Sequence, residues 1–262
     1  MITLHNGDCL EYMLGMDAGS VDAIITDLPY GTTACSWDVV IPFAPMWEAV
    51  KHVLKPRGVF VTTASQPFTS MLVCSNLEWF RQAAVWDKVL PVGFLDANRR
   101  LMRAHEDIVI FSPVGYSTYN PQMVVRGKPR GKGDSAREES SVYHHYEKHK
   151  SFNNEYYPTT IITFSNGDRT RPELCGHPTQ KPIAMYEYLI RTYTNPGETV
   201  LDMTAGSGTT IVAAIQTGRN AIGIEKRQDY FEIMQKRASE ATLQPALFQY
   251  EAQPQPVQAA MI

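Results

Sequence analysis

Asp27-Leu28-Pro29-Tyr30 follows directly on the apolar run Val21-Asp22-Ala23-Ile24-Ile25-Thr26, which sets a carboxylate, a rigid turn and an aromatic plate at the end of a buried strand. An exocyclic amine that takes a methyl group needs acceptors on its N–H bonds and a flat ring stacked on the base that carries it. The Asp27 carboxylate, the Leu28 carbonyl ahead of Pro29 and the Tyr30 ring supply that set. Taken alone, the tetrapeptide reads equally well as a turn carboxylate followed by a core ring.

A second constellation lies far downstream. Val200-Leu201-Asp202-Met203-Thr204-Ala205-Gly206-Ser207-Gly208-Thr209-Thr210 passes from a strand through two glycines into a helix, so backbone can approach a ligand closely at the carboxyl edge of a sheet. Such a turn is a weak signal by itself. Glu225 ends the next strand, 23 residues after Asp202, a spacing that suits a carboxylate accepting both ribose hydroxyls. A phosphate loop would need G-x-x-x-x-G-K-[ST]. No lysine occurs between Lys181 and Lys226, and Asp202 would repel a phosphate. A ligand with a ribose, a positive centre and no phosphate fits better, and S-adenosylmethionine is such a molecule.

The elements that must position these residues alternate between strand and helix, the α/β signature. Strands are predicted at Val21–Thr26, Gly58–Thr63, Trp79–Val89, Glu106–Phe111, Thr199–Asp202 and Ala221–Ile224. Helices are predicted at Phe43–Leu54, closed by Lys55-Pro56-Arg57-Gly58, and at Pro67–Asn76, Pro182–Thr192, Gly208–Thr217 and Gln228–Ala241. From Ser112 to Gly176 neither period is sustained, and the stretch reads as an inserted module. The segment 244–262, with Gln-Pro-Gln-Pro at 253–256, reads as a flexible tail.

Bulk properties narrow the class. At 262 residues, 44% apolar and 19% charged, the chain is globular and can bury a full core. A net charge of −3 means that any nucleic-acid contact must rest on a local basic patch. Cys9, Cys35, Cys74 and Cys175 lie far apart with no C-x-x-C pair, which argues against a zinc site or a disulfide framework. No metal is expected. The start, Met1 to Asp8, lacks a basic leader, and no window approaches the ~18 apolar residues of a membrane helix. A soluble, cytoplasmic protein is the expectation.

With both constellations in view, the chain resembles the DNA amino-methyltransferases of the N4-cytosine/N6-adenine type. More narrowly, it resembles the permuted class in which the D-P-P-Y motif comes first, target recognition sits in the middle and the cofactor glycines come last. Asn6-Gly7-Asp8-Cys9, His177-Pro178-Thr179-Gln180-Lys181-Pro182 and Gly223-Ile224-Glu225 support it, and the resemblance covers most of residues 1–241. It implies a Rossmann-like class I S-adenosylmethionine-dependent methyltransferase fold, with a seven-stranded, mostly parallel sheet containing one antiparallel strand. The division it implies is a catalytic half at 1–111, a target-recognition insert at 112–176, a cofactor half at 177–243 and the tail. Asp27, Leu28, Pro29 and Tyr30 would grip a flipped base. Asp8 and Cys9, together with Asp27, His177, Thr179, Lys181 and Pro182, would meet the cofactor, as would Asp202, the run Thr204, Ala205, Gly206, Ser207, Gly208, Thr209, Thr210, and Glu225 with Lys226. Double-stranded DNA is the implied partner, a homodimer is in keeping with the class, and the host would be a bacterial or phage-infected cell. Leu28 departs from D-P-P-Y, and Met203-Thr204 depart from the D-P-F-x-G-S-G of the cofactor turn. Leu28 replaces a proline but acts through its carbonyl, and Thr204 replaces the aromatic neighbour of the cofactor.

Attack by the amine needs neither a thiolate nor a metal, unlike methylation at a ring carbon. An aspartate start leans towards adenine N6 within the family; N4-cytosine methylation, a silent DNA-binding module of the same fold, and RNA or protein-glutamine methylation are the alternatives. Arg126-Gly127-Lys128-Pro129-Arg130-Gly131-Lys132 carries four cations on a Gly/Pro frame, and Arg99, Arg100 and Arg103 lie upstream. Both runs suit phosphate contacts, against the plainer account of a solvated basic loop. His144, His145 and His149 read as solvated surface, and Trp37-Asp38 and Trp86-Asp87-Lys88 as core anchors with polar tips.

Overall fold

Strands covered on both faces carry near-continuous apolar runs, and this chain lays several such runs side by side. The computed structural model describes residues 1–33, 35, 38–116, 118–131, 152–166 and 180–243. In chain order the elements are β1 (Ile2–Asn6), α1 (Cys9–Leu14), β2 (Val21–Asp27), α2 (Phe43–Val53), β3 (Leu54–Ala64), α3 (Phe68–Ser75), β4 (Phe80–Val92), a 3-10 turn (Phe94–Asp96) and β5 (Arg103–Phe111). There follow β6 (Val124–Gly131), β7 (Phe152–Tyr156), β8 (Ile161–Thr163), α4 (Ile183–Tyr193), β9 (Thr199–Asp202), α5 (Thr209–Gln216), β10 (Asn220–Glu225) and α6 (Gln228–Leu243).

Eight strands form one sheet in the order β1-β10-β9-β2-β3-β5-β4-β8. Neighbours are parallel except at β5, which runs against both β3 and β4. The single antiparallel strand is as expected; the strand number is one more than the resemblance implies. The addition is β8, which joins the free edge of β4 with Ile161 opposite Val85 and Thr163 opposite Asp87. Three residues are too few for a period of two to show in a sequence. Lys55-Pro56-Arg57-Gly58 does not stop a helix before the strand. It lies inside β3, as an irregularity between Val21↔Leu54 and Ala23↔Val59.

Side chains of the central strands alternate between two apolar layers, as the pleat requires. Ala23, Ile25, Val61 and Ile110 meet α4, α5 and α6 on one face, and Ile24, Phe60, Val109 and Phe111 meet α1, α2 and α3 on the other. α2 buries Met46, Trp47, Ala49, Val50 and Val53, the stripe of an amphipathic helix, with the Trp47 ring against Phe60 and Phe111. No described helix is long and apolar enough to cross a membrane.

By contacts the described residues divide into a large unit, Met1–Asn120 with 159–243, and a small one at Pro121–Pro158. The small unit is narrower than the 112–176 insert read from the sequence. It holds the antiparallel pair β6 and β7, with Val124 opposite Tyr156 and Arg130 opposite Asn153. The sequence hides this pair because its pairing is irregular between Val125 and Arg130, across Gly127 and Pro129.

Candidate active site

β2 touches β9 through only two residue pairs, Ala23↔Val200 and Ile24↔Leu201. Beyond them β2 runs on to Asp27 and β9 ends at Asp202, while β3 flanks β2 on its other side. The strand order reverses here, and in open α/β sheets the crevice past the carboxyl ends at such a point is where ligands bind. A cavity of about 590 Å³ occupies it. Its lining includes Asp8, Cys9, Asp27, Pro29, Lys181, Asp202, Thr204, Ala205, Gly206, Ser207, Thr209, Thr210, Glu225 and Lys226. Leu28, Tyr30, Pro182 and Gly208 do not line it, and His177 and Thr179 lie outside the described residues.

The glycine turn is held from two sides. Gly206, at φ 52°, donates its N–H to Glu225 Oε2 at 2.9 Å, and Glu225 Oε1 accepts the Arg227 N–H at 2.7 Å. Each carboxylate oxygen thus keeps a lone pair. Gly208, at φ 82°, precedes α5, and a Cβ there would sit 2.7 Å from Met234 of α6, so this glycine serves close packing. Pro182 opens α4. Asp8 caps α1, accepting from Leu10 N at 3.0 Å, and lies 3.2 Å from Lys226 Nζ. Burial pushes the Cys9 thiol up to about 11, which leaves no thiolate at neutral pH.

Asp27 is oriented by four neighbours. Oδ1 accepts from the Tyr30 hydroxyl at 2.7 Å and from Thr63 Oγ1 at 2.5 Å, and Oδ2 lies 2.7 Å from Lys181 Nζ. Its backbone carbonyl accepts from Thr204 Oγ1 at 3.0 Å. The Tyr30 ring stacks on Phe68 at 5.3 Å, and the Leu28 side chain is buried in the same apolar layer. Lys181 is shared with Glu106 Oε2 at 3.2 Å, and Glu106 Oε1 in turn lies 2.5 Å from Lys88 Nζ. The result is an alternating chain Asp27–Lys181–Glu106–Lys88 whose last three side chains are 8–13% exposed. Burial pulls Lys181 down, but Asp27 and Glu106 outweigh it and hold the ammonium above its ordinary value. Burial likewise raises Glu106, and the two lysines outweigh that to hold it low.

Lys88 and Glu106 were not selected from the sequence. The available signal was an acid and a lysine at the ends of otherwise apolar strands, where an unpaired charge would be costly. Asp38 was also missed: it accepts the N–H groups of Gly31, Thr32 and Thr33 at 2.7–2.9 Å and so fixes the loop that follows Tyr30.

Asp202 is buried on the other side of the crevice. Oδ2 accepts from Thr210 Oγ1 at 2.5 Å, and Oδ1 accepts from Thr204 N at 3.1 Å and contacts Thr26 Oγ1 at 2.7 Å. Thr26 Oγ1 lies 2.7 Å from Thr204 Oγ1. The Thr26 hydroxyl donates to Asp202 Oδ1, and the Thr204 hydroxyl donates to the Asp27 carbonyl. Burial pushes the Asp202 carboxyl up to about 6.

Among the basic residues, Arg99, Arg100 and Arg103 are exposed in and beside the β4–β5 connection, with Arg100 paired to Asp96. Arg126, Lys128 and Arg130 have their backbone in β6 of the small unit. Lys132, Trp37, His144, His145 and His149 lie outside the described residues, and no group of metal-ligating side chains occurs among the described ones.

The sequence pattern of the DNA methylase family matches residues 21–236. The DNA adenine methyltransferase YhdJ of Escherichia coli (strain K12) is 27% identical over 256 residues, 92% of this chain and 83% of its own length. The type II methyltransferase M2.LlaDCHI of Lactococcus lactis subsp. cremoris is 31% identical over 259 residues, 89% of this chain and 88% of its own. Among solved structures, the M1.HpyAVI–SAM complex superposes with a TM-score of 0.59 at 26% identity, covering 90% of this chain and 100% of that one. The PvuII DNA methyltransferase (cytosine-N4-specific), at 16% identity, shares the fold with a TM-score of 0.66 over 93% of this chain and 92% of its own.

Two predictions follow from the buried charges. Glu106→Ala strands the buried Lys88 ammonium and leaves Lys181 with Asp27 alone, and should cost about 3–5 kcal/mol in urea denaturation, whereas Lys55→Ala, at the exposed pair with Asp22, should cost under about 1 kcal/mol. Equal losses would show that the Glu106 chain is no more than surface charge. Asp202, ordinarily near 3.8 and raised to about 6 here, binds its proton more tightly folded than unfolded. Its stabilisation is therefore full below pH 4 and lost as pH rises through 6. The stability of the parent relative to Asp202→Asn should fall by roughly 3 kcal/mol from pH 4 to 7; a constant difference across that range would refute the raised value.

Proposed function

Because this chain belongs to the DNA methylase family, we propose that it moves a methyl group from S-adenosylmethionine to the exocyclic amine of a base flipped out of double-stranded DNA, with adenine N6 as the target. The carrying observation is that Asp27, the glycine turn and Glu225 face one cavity. The donor set fits the cofactor. Glu225 keeps a lone pair on each oxygen for a ribose diol, Gly206 lets backbone approach, and no lysine sits in the turn to select a phosphate. When bound, S-adenosylmethionine supplies an electrophilic methyl on a positive sulfonium.

An exocyclic amine is a poor nucleophile because its lone pair is delocalised into the ring. Acceptors on both N–H bonds favour a pyramidal nitrogen and build negative potential where the methyl arrives. A carboxylate offers about four lone-pair sites. Tyr30 and Thr63 fill two on Asp27 Oδ1 and Lys181 one on Oδ2, which leaves a site on Oδ2 for one N–H. The Leu28 carbonyl takes the other, and the proton that nitrogen sheds leaves along the Asp27 hydrogen bond. Adenine is favoured over cytosine by the acidic start of the turn and by the name of the adenine-specific relative.

The β4–β5 hairpin supports DNA as the substrate. β4 is parallel to β2 and leaves the sheet at the edge where Asp27 sits, and past Asp107, opposite Ala64, it continues with β5 beyond the end of β3. Its tip exposes Phe94, Leu95 at 96% and Leu101 at 93% beside Arg99, Arg100 and Arg103. Arginines suit phosphates, and an apolar tip suits a step left open by base flipping. Arg126, Lys128, Arg130 and Lys132 are assigned the same phosphate role.

Duplex DNA labelled from tritiated-methyl cofactor and digested to nucleosides should yield N6-methyladenine. N4-methylcytosine would correct the target, and label on RNA or protein alone would reject DNA. Asp27→Ala should lower the transfer rate at least about 100-fold with cofactor affinity unchanged, while Glu225→Ala should weaken cofactor binding about 10-fold or more, as calorimetry would read. Loss of both properties in either variant would dissolve this division of labour. Replacing Arg99, Arg100 and Arg103 by Ala should reduce the slope of log affinity against log salt by up to about 3; an unchanged slope would remove the hairpin from the DNA contact.

A further inference from the structure

Two of the departures from the family pattern, Leu28 and Thr204, meet at one peptide. A proline at position 28 would restrict the residue before it to extended backbone and so set the direction of the Asp27 carbonyl. Leu28 removes that restriction. The same carbonyl accepts a hydrogen bond from Thr204 Oγ1 at 3.0 Å, and position 204 is the one where the pattern has an aromatic residue that could offer no hydroxyl. Thr204 is in turn fixed from the cofactor side. Its N–H donates to Asp202 Oδ1 at 3.1 Å, and its hydroxyl meets Thr26 Oγ1, itself bonded to Asp202. The hydroxyl is therefore aimed at the catalytic turn, although the residue belongs to the cofactor loop.

We propose that Thr204 is a positioning residue, whose hydroxyl replaces the lost proline as the restraint on the Asp27–Leu28 peptide and ties the catalytic turn to the cofactor loop. For the rate of transfer this rests on the methyltransferase function proposed above; for the geometry of the turn it does not. Asp27 must present Oδ2 and Leu28 must present its carbonyl at the same time, and both directions depend on the peptide between them. A free carbonyl leaves the two acceptors uncorrelated and lowers the fraction of molecules ready to hold both N–H bonds.

Thr204→Val keeps the shape and removes the hydroxyl, and Thr204→Ser keeps the hydroxyl. In the full chain, deuterium exchange at the amides of Leu28, Tyr30 and Gly31 should rise at least about fivefold in Thr204→Val and stay near the parent in Thr204→Ser, with exchange in β5 unchanged in both. At saturating cofactor, the single-turnover rate on duplex DNA should fall at least about 10-fold in Thr204→Val, about 1.4 kcal/mol of barrier, and recover to within about threefold in Thr204→Ser. Unchanged exchange at the turn overturns the proposal, whether or not the parent methylates DNA. A rate deficit that disappears at high cofactor concentration also overturns it, since Thr204 would then be only a wall of the cofactor cavity. Absence of transfer by the parent counts against the proposed function alone, and the exchange result still decides the restraint.

Discussion

The whole site depends on how briefly β2 and β9 pair. Two residue pairs hold them in parallel, Ala23↔Val200 and Ile24↔Leu201, and then the strands part. A longer ladder would close the crevice; none at all would leave the Asp27 turn and the glycine turn on unrelated surfaces. The strands come from opposite ends of the chain, so long-range parallel pairing brings Asp27 within one threonine of Asp202. Parallel pairing also needs helices on both faces, and the two apolar layers supply them. Ala23 and Ile25 belong to one layer and Ile24 to the other, so β2 is held from both sides up to two residues before Asp27.

Beyond that point charge takes over from apolar packing. Asp27, Lys181, Glu106 and Lys88 alternate in sign along a line from β2 through the start of α4 to β5 and β4. Such a chain adds little net stability, because desolvation offsets most of the attraction, but it penalises any arrangement in which one member is missing. It therefore fixes Lys181 against Asp27 and restricts the carboxylate to one further hydrogen bond. The same restriction bears on product. In the proposed reaction a primary amine would offer N–H bonds to both Asp27 and the Leu28 carbonyl, whereas a methylated amine would have one left, so the product would leave one acceptor without its partner.

The parts of this arrangement legible in the sequence were those carried by local pattern. Val21–Thr26 is a continuous apolar run, Gly206 and Gly208 mark a turn with positive φ, and Glu225 ends the strand that follows at a telling distance. Lys88 and Glu106 were illegible because their meaning is a tertiary pairing, Asp87 opposite His105 on adjacent strands with Lys181 arriving from another element. The extra strand β8 and the β6–β7 pair were hidden by shortness and irregularity.

Thr204 carries a meaning of a different kind. Set beside a family pattern, it registers only as a missing aromatic ring, and Leu28 only as a missing proline. A one-dimensional pattern treats these as two separate losses at positions 176 residues apart. In the folded chain both positions bear on a single carbonyl, that of Asp27, which is bonded to the nitrogen of Leu28 and accepts from the Thr204 hydroxyl. Departures from a family pattern that meet in space are therefore to be weighed as a pair, since the effect of either depends on whether the other is present.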